Sequence, residues 1–417
     1  MREWLQSLFP RQVYRALLAP YHYAWALLSA LWYGFPARHL TVIGVTGTKG
    51  KSSVSDMLYT TLKDAGYKVA VASTIRFAIQ DESRPNLFKM TLPGRGFIQK
   101  FLAEARAKGS THAVIEITSE STLQFRHLFL ELDALVFTNL QKEHIESHGS
   151  FEKYAAAKYT IGRALQHSAK RPRAIIANAD DERSAPFLAL SVEEHRPFSY
   201  RDASDIALSP GKAAFTYKNI HFSMQLPGSF TIMNALAVAE AAAFVGVPLS
   251  TVATSLSNLV RIPGRTERID ANQPFSVIVD YAHTPGSLEA LYAAYPTRKI
   301  CVLGNTGGGR DTWKRADMGS IADRECAEVI LTDEDPYDED PRSIVDAMAK
   351  GMKRKPRIIM DRRLAIKEAL SLAKPGDAVL ITGKGTDPYI MGPHGTRLPW
   401  SDADAVREEL RGARGEN

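Results

Sequence analysis

A glycine-rich stretch at 46–53 carries the residues best suited to chemistry. Its sequence, TGTKGKSS, follows an apolar run that predicts a buried strand (40–45) and precedes a predicted helix (54–62). A glycine turn at a helix N-terminus points backbone N–H groups and the positive helix end at one spot, which favours phosphate. In such a turn Lys51 reaches the β- and γ-phosphates, and the Ser52 hydroxyl is placed to bind Mg²⁺. The stretch therefore predicts a nucleoside-triphosphate site, with an ordinary glycine turn as the alternative.

A glutamate near the end of another predicted strand is a candidate metal ligand. Glu116 belongs to the apolar run 111–117. A charged glutamate in an apolar strand costs free energy unless it is paired or bound to a cation. A carboxylate beside a phosphate loop is the group that a Mg²⁺ bridging two phosphates requires. We therefore expect Glu116 to bind Mg²⁺, and the alternative is a carboxylate exposed at the strand end.

A lysine on an apolar helix face is the third unusual group. Ser150 can cap a helix that begins at Phe151, and Tyr154 and Lys158 then share its apolar face. An ammonium group with a pKa of about 10.4 cannot bind a cation. A lysine carbamylated by CO₂ would carry a carboxylate and could bind a second Mg²⁺ together with His144. The residues alone favour the alternative, a lysine that snorkels to solvent.

Short apolar runs that alternate with helical intervals predict two open α/β domains. The first is a central P-loop-type domain with a mostly parallel sheet (40–260), and the second is a C-terminal Rossmann-like α/β domain (261–417). A weak alternation at 198–226 predicts a small antiparallel patch, and 261–265 is the predicted linker. The predicted parallel strands are 40–45, 68–73, 111–117, 134–138, 174–178, 276–280, 299–304, 328–332, 357–361 and 378–382.

The N-terminal segment, 1–39, is predicted to be apolar and helical. Apart from His22, residues 16–34 lack charged groups, and this run is just long enough to span a bilayer. Pro20, His22 and many tyrosines make it a poor spanning segment, and no small-residue cleavage site follows to indicate a secretory signal. A helical hairpin packed on the body is the favoured prediction. Peripheral membrane contact through residues 14–34 and a true span are the alternatives.

The composition is that of an ordinary globular protein. The chain has 417 residues, 45% hydrophobic and 24% charged, with a net charge of +6. Without a concentrated basic stripe this charge does not indicate nucleic-acid binding, and an anionic phosphorylated substrate accounts for it as well. The two cysteines, Cys301 and Cys326, lie in apolar or helical runs. We therefore expect no disulfide framework and no cysteine-bound metal, as in a reducing compartment.

A series of motifs runs in order through residues 40–405. In kind and spacing they resemble the Mur ligase family, and most of all its muramoyl-tripeptide synthetase branch. The motifs are TGTKGKS at 46–52, TLP at 91–93, Glu116 with Thr118, Gln124 and Arg126, TNL at 138–140, EH at 143–144, HG at 148–149, AK at 157–158, NADD at 178–181, Asn234, PGRTER at 263–268, DYAHTP at 280–285, DP at 335–336 and GKG at 383–385.

The resemblance implies a ligase in which ATP phosphorylates a carboxylate and an amine then attacks the acyl phosphate. It implies two Mg²⁺ ions, a carbamylated Lys158, and catalytic roles for Lys51, Glu116, His144 and Lys158. The implied metal ligands are Ser52, Glu116, His144 and Lys158. The implied nucleotide-binding positions are Gly47, Thr48, Lys49, Gly50, Lys51, Ser52, Ser53, Asn234, Arg265, Asp280 and His283. The implied substrate positions are Thr91, Thr118, Gln124, Arg126, Asp335, Tyr337, Gly383 and Asp387.

Two departures from the family pattern concern the substrates. About 40 residues precede the phosphate loop, too few for the family's domain that grips uridine diphosphate, so a lipid-linked or different peptide donor is open. Where diaminopimelate-adding members carry Asp-Asn-Pro-Arg, this chain has EDPY at 334–337, and the arginine is missing. The acidic side chains nearby suggest a cationic amine such as lysine or arginine, with a solvated acidic loop as the alternative. These acids are Asp333, Glu334, Asp335, Asp338 and Asp387.

We therefore expect an ATP-dependent ligase that adds an amino acid to a muramoyl-peptide-like donor in peptidoglycan precursor synthesis. We expect a cytoplasmic monomer, associated with the membrane if the N-terminal segment contacts lipid. One alternative is a ligase for a polyglutamate- or cyanophycin-like polymer, whose donor needs no uridine pocket. The other is a non-catalytic ATP-binding partner of a cell-wall ligase. Retention of the phosphate and metal groups argues against this last alternative, since idle relatives tend to lose them.

Overall fold

The computed structural model describes residues 11–94, 96–143 and 145–412. Of these, residues in the ranges 11–142, 147–199 and 236–252 form one compact unit. Residues in the ranges 143–146, 200–235 and 253–412 form a second. Among the described residues no helix is long and apolar enough to cross a membrane.

The first unit is built on an eight-stranded sheet in the order β4-β3-β2-β5-β1-β6-β7-β8. Six neighbouring strands, β2 to β8 in that order, are parallel, and β3 and β4 add an antiparallel hairpin at one edge. The unpredicted β4 is fully exposed and lacks the apolar run by which strands are found. The strands are β1 (Thr41–Thr46), β2 (Val69–Ala72), β3 (Arg76–Ile79), β4 (Glu82–Pro85), β5 (His112–Glu116), β6 (Ala134–Phe137), β7 (Ala174–Asn178) and β8 (Glu194–Phe198).

The second unit holds a three-stranded antiparallel sheet, a six-stranded sheet and a two-stranded hairpin. The six-stranded sheet has the order β12-β13-β17-β14-β15-β16, in which only the edge strand β12 is antiparallel. The predicted antiparallel patch is confirmed by β9–β11. The strands are β9 (Ser204–Ser209), β10 (Lys212–Tyr217), β11 (Ile220–Met224), β12 (Glu267–Ile269), β13 (Ser276–Asp280), β14 (Lys299–Leu303), β15 (Glu328–Leu331), β16 (Arg357–Ile358), β17 (Ala378–Thr382), β18 (Tyr389–Met391) and β19 (Arg397–Pro399).

Helices cover the sheets and supply the groups that face the strand ends. The predicted cap of the helix at Phe151 is confirmed, because Ser150 Oγ accepts a hydrogen bond from the backbone N–H of Lys153 at 3.2 Å. The helices are α1 (Arg11–Trp32), α2 (Lys51–Asp64), α3 (Phe97–Ala107), α4 (Ser119–Leu123), α5 (Ile145–His148), α6 (Phe151–Gln166), α7 (Ala185–Leu188), α8 (Ser229–Phe244), α9 (Leu249–Asn258), α10 (Pro285–Ala293), α11 (Arg315–Glu325), α12 (Pro341–Ala349), α13 (Arg362–Ser371) and α14 (Asp402–Gly412).

The predicted fold class is confirmed: each unit contains a mostly parallel sheet with helices. In the hydrophobic core of the first unit, strand side chains such as Ile115 and Leu135 pack with Phe101 of α3 and Ile161 of α6. All four side chains are almost fully buried. The predicted limits at residues 39/40 and 260/261 stay predictions.

The N-terminal segment differs from the favoured prediction. Over the described part of this segment, residues 11–39, the chain does not turn back at Pro20: α1 runs continuously through this proline, and no helical hairpin forms there. Proline removes one N–H donor, but its fixed φ matches the helix, so the chain need not turn back at this position.

The expectation of no disulfide is wrong. Cys301 in β14 and Cys326, just after α11, form a disulfide with a Cα–Cα distance of 6.1 Å, and both side chains are buried. Their sequence separation of 25 residues gave no hint of proximity. The residues are neighbours because α11 returns the chain to β15, which pairs with β14.

We predict that His112 makes the protein less stable in acid. Its imidazole is 8% exposed, lies 4.3 Å from the Tyr67 ring centroid, and has a pKa lowered to about 4 by burial. Between pH 6.5 and 4 the unfolded chain therefore binds more protons at this site, and stability falls as the pH falls. In urea unfolding, His112→Gln should reduce the stability lost between pH 7 and pH 4 by about 1–3 kcal/mol.

The matched control is His394→Gln, at a side chain that is 95% exposed. It should leave the pH dependence of unfolding as in the wild type. Parallel curves for wild type and His112→Gln would contradict the prediction.

Candidate active site

The glycine turn between β1 and α2 has a conformation that requires glycine at two positions. Gly47 has φ +145° and Gly50 has φ +81°. A Cβ at Gly47 would also overlap the Thr138 hydroxyl. Strand, turn and helix therefore follow the predicted order, with Lys51 and Ser52 in the first turn of α2. Backbone N–H groups at this helix start are the donors that a phosphate uses.

The residues after β6 hold this turn in place. Asn139 accepts a hydrogen bond from the Lys49 N–H at 2.9 Å and donates to the Lys49 carbonyl at 3.1 Å. The Thr138 hydroxyl donates to the same carbonyl at 2.6 Å. The family-like motif at 138–140 thus acts on the loop through side chains that the sequence analysis left without a role. The position of this motif just after a predicted parallel strand, where ligand sites lie, could have indicated such a role.

Lys51 and Ser52 occupy the positions predicted for phosphate and metal binding. The Lys51 ammonium donates to the Thr48 carbonyl at 2.7 Å, so it is folded back along the turn. The Ser52 hydroxyl donates to Glu116 Oε1 at 3.1 Å. The turn, the helix start and the end of β5 therefore meet within hydrogen-bonding distance.

Glu116 is buried, and the alternative of an exposed carboxylate is wrong. Its side chain is 1% exposed. Besides Ser52, it accepts from the Thr74 N–H at 2.8 Å and from the Thr74 hydroxyl at 3.0 Å. Thr74 is a positioning residue that the sequence analysis missed, although it directly follows a predicted strand. Its hydroxyl lies 2.7 Å from that of Thr91, the first predicted substrate residue.

The Ser52–Glu116 pair fits a magnesium ion. A hydroxyl and a carboxylate are hard oxygen donors, and Mg²⁺ completes its shell with phosphate oxygens and water. Within the described ranges no three His, Cys, Asp or Glu side chains converge on one metal site.

Lys158 points into the protein, so the snorkelling alternative is wrong. Its side chain is 1% exposed, and its Nζ donates to the Gly47 carbonyl at 2.6 Å. The Tyr154 ring centroid is 5.0 Å from Nζ, and the Tyr154 hydroxyl lies 2.9 Å from the Thr48 hydroxyl. Lys158 therefore lies against the turn. Its proposed metal partner, His144, lies outside the described residues, and carbamylation stays a prediction.

Most of the predicted donor-binding residues lie together. Arg126 donates to the Gln124 side chain and to the Leu92 carbonyl, next to Thr91. Burial lowers the pKa of Arg126, and the nearby Glu120 opposes this effect. Thr118 is the N-cap residue of α4, and its carbonyl accepts from Ser121. Thr91, Gln124 and Arg126 thus form one polar group on the first unit. Thr118 lies at the start of the connection after β5 that also carries Gln124 and Arg126.

In the second unit, three predicted nucleotide-binding residues lie around the end of β13. The Arg265 guanidinium stacks on the Tyr281 ring at 4.5 Å. Asp280 accepts from two backbone N–H groups at 2.6 and 2.7 Å, and burial raises its pKa. His283 Nε2 lies 2.8 Å from Glu143 Oε1. Asn234 is half-buried in α8.

The acidic loop after β15 is largely buried, which contradicts the alternative of a solvated loop. Asp335 accepts from the buried Lys384 ammonium at 2.8 Å, and Asp387 lies 3.6 Å from the same group. Lys384 therefore compensates two of the acids that the sequence analysis assigned to an amine substrate. Lys384 lies in the GKG motif at 383–385, where the sequence alone gives this lysine no role.

Glu334 is the exception in this loop. It is 2% exposed, and Oε1 accepts from the Thr306 hydroxyl at 3.1 Å. Among the described residues, Oε2 has no hydrogen-bond partner, and burial raises the pKa of the carboxyl. Gly383 leaves the space for Oε2, since a Cβ there would overlap it. In the same loop, the Tyr337 ring stacks on the Arg310 guanidinium, which lies 4.7 Å from the ring centroid.

We predict that Gly47→Ala disrupts the phosphate turn. The new methyl group would collide with Thr138, and the positive φ would be strained, so ATP affinity should fall at least about tenfold and stability by about 1–3 kcal/mol. Titration calorimetry with ATP and thermal unfolding measure the two effects.

Gly66→Ala is the matched control for this prediction, because Gly66 has φ +90° with no atom within 4 Å of a Cβ. It carries only the backbone strain and should retain ATP affinity. Equal ATP affinity for Gly47→Ala and wild type would contradict the assignment of the turn.

Two family descriptions match the chain: "Mur ligase middle domain" over residues 45–242 and "Mur ligase, glutamate ligase domain" over residues 264–385. The chain is 33% identical over 406 residues to a UDP-N-acetylmuramoyl-L-alanyl-D-glutamate–2,6-diaminopimelate ligase of Syntrophomonas wolfei, covering 93% of this chain and 82% of that protein. It is also 33% identical over 418 residues to a UDP-N-acetylmuramyl-tripeptide synthetase of Roseiflexus sp., with the same coverage of 93% and 82%.

Solved structures of related ligases superpose on this chain. A UDP-N-acetylmuramoyl-L-alanyl-D-glutamate–2,6-diaminopimelate ligase superposes with a TM-score of 0.61 at 28% identity, covering 90% of this chain and 79% of that one. A folylpolyglutamate synthase of Mycobacterium tuberculosis has a TM-score of 0.71 at 16% identity, covering 94% and 95%, which shows a shared fold. Identity of 33% sustained over 82% of a relative's length goes beyond a shared fold, and the chain therefore belongs to the Mur ligase family of ATP-dependent amide ligases.

Proposed function

We propose that this Mur ligase joins an amino acid to a muramoyl-peptide-like carboxylate donor through an acyl phosphate, as a step of peptidoglycan precursor synthesis. The observation that carries the proposal is the contact between the phosphate turn and the buried Glu116, made through Ser52 at 3.1 Å. The names of the relatives from Syntrophomonas wolfei and Roseiflexus sp. support the class of donor.

The chemical task is to make an unreactive carboxylate into an electrophile. A carboxylate has no good leaving group, and phosphorylation supplies one. Lys51 would exchange the Thr48 carbonyl for a phosphate oxygen, and the backbone N–H groups at the start of α2 would hold the other oxygens. Mg²⁺ held by Ser52 and Glu116 would neutralise charge on the phosphates when bound.

Lys158 is proposed to act in its carbamylated form, with His144. Two features of its surroundings support this proposal. Nζ lies at the phosphate turn, 2.6 Å from the Gly47 carbonyl, and it is buried, where an ammonium is costly. Carbamylation would exchange the cation for a carboxylate beside the phosphates, the type of ligand that a second Mg²⁺ requires.

The donor and the amine would meet different chemical groups. Arg126, with Gln124 and Thr91, offers a cation and polar groups suited to an anionic peptide. For the amine, Glu334 supports a cationic side chain, because its buried Oε2 lacks a partner among the described residues. Tyr337, in place of the family's arginine, supports an amino acid without a distal carboxylate.

We predict that Lys158→Ala abolishes ligase turnover. Substrate-dependent phosphate release should fall by about 10²-fold or more, because the group beside the transferring phosphate is lost. The matched control is Lys153→Ala, at an exposed position of the same helix, which should retain turnover. A carbamate signal in ¹³C NMR after incubation with ¹³C-bicarbonate should be present in the wild type and absent in Lys158→Ala.

A turnover assay that measures ADP release tests the identity of the carboxylate donor. ADP release should require a muramoyl peptide together with an amino acid. ADP release with an amino acid and a polyglutamate- or cyanophycin-like peptide, but not with any muramoyl peptide, would overturn the proposed donor and favour a polymer ligase. ATP binding with no substrate-dependent turnover for any donor would favour a non-catalytic partner.

We predict that the amine site prefers a basic amino acid. In a screen of the twenty amino acids and diaminopimelate, lysine or arginine should have a kcat/KM at least about tenfold above that of alanine or glutamate, because a cation satisfies the buried Glu334. Glu334→Gln should reduce this preference, and Asp338→Asn, at an exposed carboxylate, is the control. Equal use of alanine and lysine by the wild type would contradict the prediction.

A further inference from the structure

Exposed apolar side chains gather in and around α1. Trp32 is 84% exposed, an unusual value for the largest apolar side chain. Outside this region, the exposed large apolar side chains of the described residues are few and scattered. Those in and around α1 are Tyr21, Tyr23, Trp25, Leu28, Leu31, Trp32, Leu87, Phe88, Met90 and Leu123. A concentration of this kind marks an interaction surface.

Among the described residues, the two apolar stripes of the helix differ: the inner stripe contacts the rest of the first unit, and the outer stripe is exposed. Tyr23 and Ala30, seven residues apart, lie on the inner stripe: Ala30 is fully buried, and the Tyr23 ring, although 44% exposed, contacts Phe125 at 5.9 Å. The outer stripe consists of Tyr21, Trp25, Leu28 and Trp32, at the i, i+4, i+7 and i+11 spacing of one helix face.

The connection after β4 continues the surface next to α1. Phe88 packs on Phe97 at 5.3 Å, and a Cβ placed at Gly96 would lie 2.9 Å from Ser29 Cβ in α1. Met90 Sδ lies 3.8 Å from Arg126 Nη1. Phe88 thus packs on the start of α3, and the residue before α3 lies against α1. We call residues 21–32 and 87–90 together the α1 surface.

The N-terminal segment carries an excess of positive charge. Its first 40 residues contain four arginines, Arg2, Arg11, Arg15 and Arg38, and one acid, Glu3. From Trp4 to Leu40 there is no acidic residue at all. Arg38 is 55% exposed and only loosely paired, 3.6 Å from Glu131. Such a segment is complementary to a negatively charged surface.

We infer that the α1 surface binds the interface of an anionic lipid bilayer, with α1 lying in the plane of the membrane. Tryptophan and tyrosine favour the headgroup level, where the ring is buried and its polar atom stays hydrated. The outer stripe of α1 supplies both residue types, and arginines attract anionic headgroups. A second copy of the chain is a poorer occupant, because it would bring the same unbalanced arginines together.

The α1 surface lies close to the proposed donor-binding residues. This consequence for the carboxylate donor rests on the proposed function. Thr91, Gln124 and Arg126 lie next to residues 87–90 and to Phe125, which contacts α1. A membrane-bound protein would therefore hold its donor-binding residues close to the lipid headgroups. A lipid-linked donor could reach them without leaving the bilayer.

Vesicle flotation with the full chain, without substrates, tests the membrane proposal independently of ligase activity. The probes are vesicles of phosphatidylcholine alone and of phosphatidylcholine with phosphatidylglycerol. The wild type should float with the anionic vesicles and much less with the neutral ones. The triple variant Trp25→Ser, Leu28→Ser, Trp32→Ser should reduce the bound fraction at least about tenfold. Because these side chains are exposed, its thermal unfolding should match that of the wild type.

The matched control is Val260→Ser, Leu364→Ser, Leu398→Ser, which removes three exposed apolar side chains of the second unit and should bind vesicles like the wild type. Binding of the triple α1 variant at the wild-type level, or absence of wild-type binding to anionic vesicles, would overturn the proposal. So would a wild-type dimer in analytical ultracentrifugation that the triple α1 variant converts to monomer, since a second copy would then cover the stripe.

Discussion

The active site depends on one constraint of parallel sheets: adjacent parallel strands end at the same edge. In the first unit β1 lies between β5 and β6, with Val45 opposite Glu116 and Thr46 opposite Phe137. The phosphate turn, the buried carboxylate and the Thr138–Asn139 pair therefore follow three neighbouring strand ends. No long loop is needed to assemble them, and hydrogen bonds of 2.6–3.1 Å complete the arrangement.

Three buried charged groups in the two units, Glu116, Lys158 and Lys384, are held in fixed positions. A buried ion pair rarely stabilises a fold more than apolar residues of the same size would. Glu116, Lys158 and Lys384 are each almost fully buried, and each makes hydrogen bonds that fix its position. Groups held in this way suit catalysis, because their orientation is set before the substrate arrives.

The second unit shows why a count of acids was a poor guide to the amine site. Asp335 and Asp387 face Lys384, so the charge that they would offer to a substrate is largely neutralised. Glu334 keeps one carboxylate oxygen without a partner among the described residues. The negative charge that this loop offers is thus set by the pairing of the acids, and this pairing requires that β17 lie near the end of β15, two strands away in the sheet.

Local pattern in the sequence determined most strands of both parallel sheets, the glycine turn, the Ser150 cap and the positions of Lys51, Ser52 and Glu116, because each depends on residues close in the chain. Four strands of the two large sheets, β3, β4, β8 and β12, escaped prediction because each is short or largely polar and lacks a long apolar run. Only the tertiary structure decided that Lys158 points inward, that Thr74 supports Glu116, that Lys384 neutralises Asp335, and that Cys301 meets Cys326. These contacts join residues 25 to 111 positions apart. Their geometry follows from strand order and helix packing, which no local pattern encodes.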